Sequence, residues 1–289
     1  MSNIWQDIQY KMLRSGSKLN LLIGINIVIF LAINIPGVVE QLFFGSNLVD
    51  SYSTDYLSLP AYLPKLLTRF WTPFTYMFMH AGIFHILFNM LWLYWFGQIF
   101  EEYLGKKRTL GLYMLGGLSG AFLFLLAFNT IPAFTHIHAA NTAAMVGASA
   151  SVMAIIVATA TLLPDYTIPL IFIGPVRLKW LAIFFVVIDF LGITGLNAGG
   201  EISHLGGALF GYVYVVQLQK GNDWIGNIGR LFKTRSKLKI AAKNIAKNPL
   251  ARPRQEDVDL ILDKISKSGY DSLSKQEKEV LFRASNNEG

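Results

Sequence analysis

The sequence predicts an all-α membrane protein: a six-transmembrane helical bundle followed by a small cytoplasmic helical tail. Three observations lead there. Hydrophobic residues make up 53% of the 289 and charged residues only 15%, against about 25% charged in a soluble domain. Several apolar runs reach the ~20 residues that carry a helix across ~30 Å of hydrocarbon; a closed barrel would instead show alternating strands of ~10 residues. Lysine and arginine gather on alternate connections, as they do when one set of loops is cytoplasmic. There is no cysteine, which excludes disulfides, thiolate-bound zinc and a cysteine nucleophile.

Residues 1–18 read as a cytoplasmic N-terminal segment carrying Lys11, Arg14 and Lys18. The apolar stretch that follows resembles a signal peptide, but it ends in Ile35-Pro-Gly-Val-Val-Glu40 without a small-x-small cleavage site. It is read as a retained first span, 19–39. The remaining spans fall at 76–98, 108–129, 142–163, 178–197 and 202–219. Lys106, Lys107 and Arg108 lie between spans two and three, Arg177 and Lys179 between spans four and five, and a dense basic run follows span six; the loops at 130–141 and 198–201 carry no Lys or Arg. Only the long first loop breaks the pattern, with Lys65 and Arg69. Both termini are therefore expected in the cytoplasm, and the expected location is a bacterial inner membrane.

This orientation places several polar residues at one depth. Span four runs from outside to inside, so Ser149 lies ~10 Å below the outer face at 1.5 Å per residue. Span six runs the same way and brings His204 near that face. Span two does so too, with His80, His85 and Asn89 in its outer half. A serine and a histidine at the mouths of two membrane helices are the parts of a nucleophile and its base.

Span four is thin: residues 139–154 contain seven Ala, one Gly and two Ser. Gly207 and Gly211 stand at i+3 and i+7 from His204, on its helical face. Small residues at that spacing let backbones approach closely, which would bring Ser149 within reach of His204. The plain alternative is good helix packing with serine as one more small residue, but a titratable side chain inside a span is costly and seldom incidental. His85 and Asn89 are i, i+4 on span two and point the same way. Both can donate to an oxyanion, and the Ser149 N–H could add a third bond. His80 is on a different side and is expected to brace the first loop.

The motifs His80-x-x-x-x-His85-x-x-x-Asn89, Gly147-Ala-Ser149-Ala150 and His204-x-x-Gly207-x-x-x-Gly211 together resemble those of the rhomboid intramembrane serine proteases, over roughly residues 19–219. The resemblance implies Ser149 as nucleophile, His204 as general base in a dyad without a third acid, and His85, Asn89 and the Ser149 N–H as the oxyanion hole. It implies transmembrane proteins as substrates, and no cofactor or metal. Three departures stand out. Ala150 takes a position where many members have Gly. Met153 takes one where some have a Tyr stacked on the histidine, so the imidazole must be held by softer packing. In the first loop Trp71 is followed by Thr72-Pro73 rather than Arg.

Asp189, inside span five, is a functional candidate by default. It is read as a hydrogen-bond partner for a neighbouring helix or as an acid kept neutral by burial, with a third catalytic member the lesser alternative. His136-x-His138 in the outer loop is read as incidental rather than metal-binding, for want of carboxylate neighbours.

The first loop, about 40–75, holds Phe43, Phe44, Tyr52, Tyr56, Tyr62, Phe70 and Trp71, aromatics suited to the membrane interface. The stretch 220–254 carries ten bases against one acid, Asp223. It is expected to be a basic juxtamembrane linker that binds anionic lipid rather than nucleic acid. Residues 255–289 reverse the balance, with eight acids and five bases. Val258, Ile261, Leu262 and Ile265 form a helical stripe, Gly269 suits a stop, and Ser274-Lys-Gln-Glu277 reads as a capping box for a second helix. The leading function is proteolysis of membrane proteins. The alternative is a catalytically inactive relative that binds membrane helices for quality control or trafficking. A transporter or channel would need charges deep in several spans, and only Asp189 is there.

Overall fold

The computed structural model describes residues 16–135, 143–170, 173–231 and 255–285. His136 and His138 lie outside them, as do Lys11, Arg14 and most of the basic run. The chain divides into two units, residues 1–233 and 234–289.

In the first unit, α1 spans Lys18–Phe44, longer than the apolar run that predicts it. Ser17 caps it, accepting from Asn20 N at 3.2 Å. The first loop folds into α2 (Leu48–Leu57), a two-residue strand β1 (Leu59–Pro60), α3 (Leu63–Thr68), α4 (Thr72–Thr75) and one 3₁₀ turn, Tyr76–Phe78. Then come α5 (Ile83–Leu104), α6 (Lys106–Thr130), α7 (Pro132–Thr135) and a second short strand β2 (Ala144–Met145). The unit continues with α8 (Ser149–Leu162), a hairpin of β3 (Thr167–Leu170) and β4 (Gly174–Arg177), α9 (Leu178–Gly192), α10 (Ala198–Gln219) and α11 (Trp224–Leu231).

Helices stand at all six places where spans are expected. Among the described residues, α1, α5 and α6 have the length and apolarity to cross a membrane, and α8 is a shorter apolar helix. The second and fourth helices start later than hydropathy predicts, at Ile83 and Ser149 rather than 76 and 142. The apolar residues ahead of them are used differently: Tyr76–Phe78 winds into a 3₁₀ turn, and Ala144–Met145 pairs antiparallel with Leu59–Pro60. The connection between α8 and α9 holds the β3–β4 hairpin, in antiparallel register from Thr167↔Arg177 to Leu170↔Gly174. Its β-branched Thr167, Ile168 and Val176 favour strand.

The core centres on α8, whose residues from Ala150 to Ala160 are all buried. A helix that is apolar all round belongs inside a bundle; α5, α6, α9 and α10 pack around it. The α8–α10 seam is made by glycine. A Cβ on Gly207 would fall on the carbonyl oxygen of Ala150, and one on Gly211 on that of Ala154. Polar tethers fix the first loop above this core. Tyr76 Oη donates to Gly117 O at 2.6 Å, and Tyr113 Oη to Met77 O at 2.9 Å. Within the loop, Asp55 pairs with Arg69 (2.6 Å) and Lys65 (2.7 Å), and Trp71 Nε1 donates to Tyr56 O at 2.8 Å. Trp71 and Arg69 thus anchor the loop without an arginine directly after the tryptophan.

The first residues of the basic stretch are ordered as α11. Ile225 is buried and meets Gly111 of α6. Asp223 caps the helix, accepting from Gly226 N at 2.9 Å.

The second unit is a pair of helices, α12 (Gln255–Ser268) and α13 (Lys275–Ser285), joined by a 3₁₀ turn at Tyr270–Ser272. The capping box forms: Glu277 N donates to Ser274 Oγ at 3.3 Å, and Ser274 N to Glu277 Oε2 at 2.7 Å. Lys264 bridges back to Glu277 at 2.8 Å, and Ile261 and Leu273 are buried.

Candidate active site

Ser149 is the first residue of α8 rather than a residue within it. The chain reaches it through β2 and a turn at Gly147, whose φ of 134° lies where side chains are strained. Gly147 N donates to Tyr76 O at 2.9 Å. A Cβ here would lie 2.9 Å from His85 Nε2 and 3.3 Å from Ser149 Oγ, so a glycine is required both by the turn and by the two side chains meeting over it. Because Ser149 opens its helix, its N–H has no partner four residues back in the helix.

A cavity of about 1100 Å³ opens over this point, lined by Ser149, His204, His85, Asn89, Met153 and Asp189 among others. The four candidates for nucleophile, base and oxyanion donors therefore face one space from three helices. His85 Nδ1 accepts from Ala81 N at 3.3 Å. That bond puts the ring proton on Nε2, the atom beside Gly147, and makes Nε2 a donor. Asn89 is buried, and its Nδ2 donates to His85 O at 2.8 Å; the second hydrogen on that nitrogen is left for the cavity. Ser151, two residues past Ser149, is fully buried and its Oγ lies against Gly117 of α6.

His204 sits two turns into α10. Its Nδ1 lies 2.9 Å from Asp189 Oδ1 on α9 and 3.8 Å from Glu201 Oε2. No hydrogen bond joins it to Ser149 among the described residues. Asp189 thus bonds a neighbouring helix, as the sequence suggests, but the neighbour is the candidate base itself. Nothing short of the fold reveals that partner, because it depends on how α9 and α10 turn against each other. Asp189, Glu201 and His204 offer ligand atoms within 4.8 Å of one another, a donor set with the chemistry to hold a divalent cation.

His80 precedes α5 and is buried. Its ring meets that of His85 edge-on at 5.1 Å, and neither ring nitrogen has a hydrogen-bond partner among the described residues. It supports His85 by packing; no hydrogen bond to the first loop is present among those residues.

The domain family described as Rhomboid domain matches residues 67–220, more than half the chain. The chain belongs to the rhomboid family. It is a membrane-embedded rhomboid whose second unit matches a separate family, described as a family of unknown function (DUF6576), over residues 250–287. This rhomboid is similar to RHOMBOID-like protein 12, mitochondrial, of Arabidopsis thaliana, at 32% identity over 160 residues, which is 53% of the chain and 48% of that protein. It is similar to Presenilin-associated rhomboid-like protein A, mitochondrial, of Danio rerio, at 26% identity over 201 residues, 67% of the chain and 46% of that protein. RHOMBOID-like protein 1 of Arabidopsis thaliana matches at 31% over 156 residues, 52% of the chain and 36% of that protein. The chain thus spans half or less of the length of these curated relatives.

Proposed function

We propose that this rhomboid is an intramembrane serine endopeptidase that cuts transmembrane segments of other membrane proteins near the outer face. The observation that carries the reading is the cavity shared by Ser149, His204, His85 and Asn89. In it, His204 Nε2 takes the proton of Ser149 Oγ as that oxygen attacks the scissile carbonyl carbon. The carbonyl π pair moves to oxygen, where His85 Nε2–H, the free Asn89 N–H and the Ser149 N–H receive it. When the adduct collapses, the C–N bond breaks and His204 returns the proton to the leaving amine. Water, deprotonated by His204, then cleaves the acyl-enzyme ester and restores Ser149.

The chain crosses the membrane six times in this reading, with both termini cytoplasmic and Ser149 ~10 Å below the outer face. The basic-residue distribution supports that orientation. The basic stretch at 220–254 holds the cytoplasmic tail against anionic lipid, with an attraction that weakens as salt rises.

One observation favours the second reading, a rhomboid that binds membrane helices without cutting them: Ser149 and His204 are not hydrogen-bonded here. Catalytic bonds are often loose before substrate arrives, so the first reading stands. The experiment is to incubate the purified chain in detergent with a model transmembrane substrate, beside Ser149→Ala and His204→Ala. Cleavage by the parent alone, with fluorophosphonate labelling of Ser149 and not of Ser151, is expected. Binding of the substrate without any product would establish the second reading.

A further inference from the structure

We propose that Asp189 is a positioning residue for His204, so that the site works as an acid–base–nucleophile triad rather than a dyad. This rests on the protease reading above. Asp189 is buried at 7% exposure, while its neighbours on α9, Val187, Ile188, Phe190 and Leu191, are 48%, 50%, 65% and 72% exposed. It is the one residue of that stretch turned from the lipid side into the bundle. A buried acid in apolar surroundings is costly unless it is paired, and its partner is the ring that must act as base, at 2.9 Å.

The choice of ring nitrogen matters. With Asp189 Oδ1 accepting from Nδ1–H, the proton is fixed on Nδ1 and the lone pair on Nε2, the nitrogen left to take the serine proton. When that proton arrives, the imidazolium carries its charge beside a carboxylate in a site of low dielectric, where the attraction is stronger than in water. The second carboxylate near the ring, Glu201 Oε2, stands 3.8 Å from Nδ1, beyond hydrogen-bond reach. Met153, which lines the same cavity, is a flexible thioether that packs but donates and accepts little. Asp189 Oδ2 has no hydrogen-bond partner among the described residues. Among the described residues the bond to the His204 ring is thus the one hydrogen bond of this carboxylate.

The test uses the full chain in detergent. Cleavage by the parent and none by Ser149→Ala establishes the protease reading by itself; if the parent neither cleaves nor takes the fluorophosphonate, that reading fails whatever Asp189 does. Asp189→Asn keeps the shape but can donate to Nδ1 and so favour the wrong tautomer. It is expected to lower kcat by about 10²-fold or more, by analogy with the triad of soluble serine proteases, with KM changed less than about threefold. Fluorophosphonate labelling should slow in parallel, and Asp189→Glu, which keeps the carboxylate, should recover part of the loss. ¹⁵N-histidine spectra of the ligand-free chain, with His204→Ala to assign the ring, should show Nδ1 protonated and Nε2 bare, and Asp189→Asn should change that pattern. An unchanged kcat, or a rise in KM alone, overturns the proposal. So does an Nε2–H tautomer in the parent, which decides the matter even if the Asn variant does not fold. If Asp189→Asn instead removes inhibition by added zinc while leaving zinc-free kcat intact, the trio with Glu201 is a cation site and the positioning role is wrong.

Discussion

Arg108 Nη2, at the start of α6, lies 2.7 Å from Asp223 Oδ2, the single acid in a stretch with ten bases. The same carboxylate accepts from Tyr214 Oη at 3.2 Å and from Gly226 N at 2.9 Å. One side chain therefore caps α11 and ties it to both α6 and α10. Asp223→Ala should lower the melting midpoint in detergent, by a destabilisation of about 1–2 kcal/mol from the lost cap. The ion pair adds little, because both partners are partly exposed. Cleavage by the folded fraction should not change. An unaltered melting curve would show that α11 is not held by this carboxylate.

The glycine seam makes a sharper prediction. In Gly207→Ala the new methyl meets the Ala150 carbonyl oxygen, a backbone atom that cannot rotate away, so α8 and α10 must separate. Ser149 and His204 ride on those two helices, and a shift of about 1 Å in a catalytic pair can cost 10²-fold. Activity should fall at least that far, with a lower melting temperature. Leu209→Ala, on the same helix but 60% exposed, should do neither. Equal behaviour of the two variants would remove the seam from the argument.

His85→Ala and Asn89→Ala should lower kcat by about 10²-fold each while KM stays near its original value, since the donors act on charge that develops only in the transition state. Their effects should not multiply fully in the double variant, because Asn89 is oriented through the His85 carbonyl. A variant that loses substrate affinity at unchanged kcat would assign that residue to docking instead.

The first loop carries a measurable acid limit. Hydrogen bonds from Arg69 and then Lys65 hold the Asp55 carboxyl down from about 3.8 to about 2. A folded-state value below the unfolded one stabilises the loop above pH 4, and that contribution is lost as pH falls toward 2. With Asp55 40% exposed, the effect is local and modest. Pepsin cleavage within residues 48–75 should therefore rise as pH drops across that window in the parent. It should be high and flat across it in Asp55→Asn. A parent profile as flat as the variant's would mean the ion pairs do not hold the loop.

The bundle and the site residues were legible in the sequence to different depths. Apolar length located all six helices, because burial and lipid both demand it. It misjudged where α5 and α8 begin, since hydropathy cannot tell a helix from the turn and short strand that precede them. Ser149, His204, His85 and Asn89 share an expected depth, and His85 and Asn89 share a helical face at i, i+4; all four line one cavity in the structure. The Asp189–His204 bond depends on the azimuth of α9, set by the connection at 193–197, and no periodicity encodes that. The start of α11 did leave a signal: Asp223 ahead of Trp224-Ile225 is a cap before apolar residues, masked by the surrounding positive charge.

The pairing of Leu59 with Met145 also has a bearing on biogenesis. The turn that carries Ser149 is held from outside its own helix, by a strand and a tyrosine carbonyl from a segment synthesised much earlier. Contacts between such distant parts of a chain form late, after the cost of closing the intervening loop has been met. Helices can insert one by one, but the turn that carries Ser149 is complete only when the first loop has settled onto it. With Ser149 as the proposed nucleophile, a half-assembled chain is expected to be inert, and competence to cut would mark the last stage of folding rather than the arrival of the serine in the bilayer.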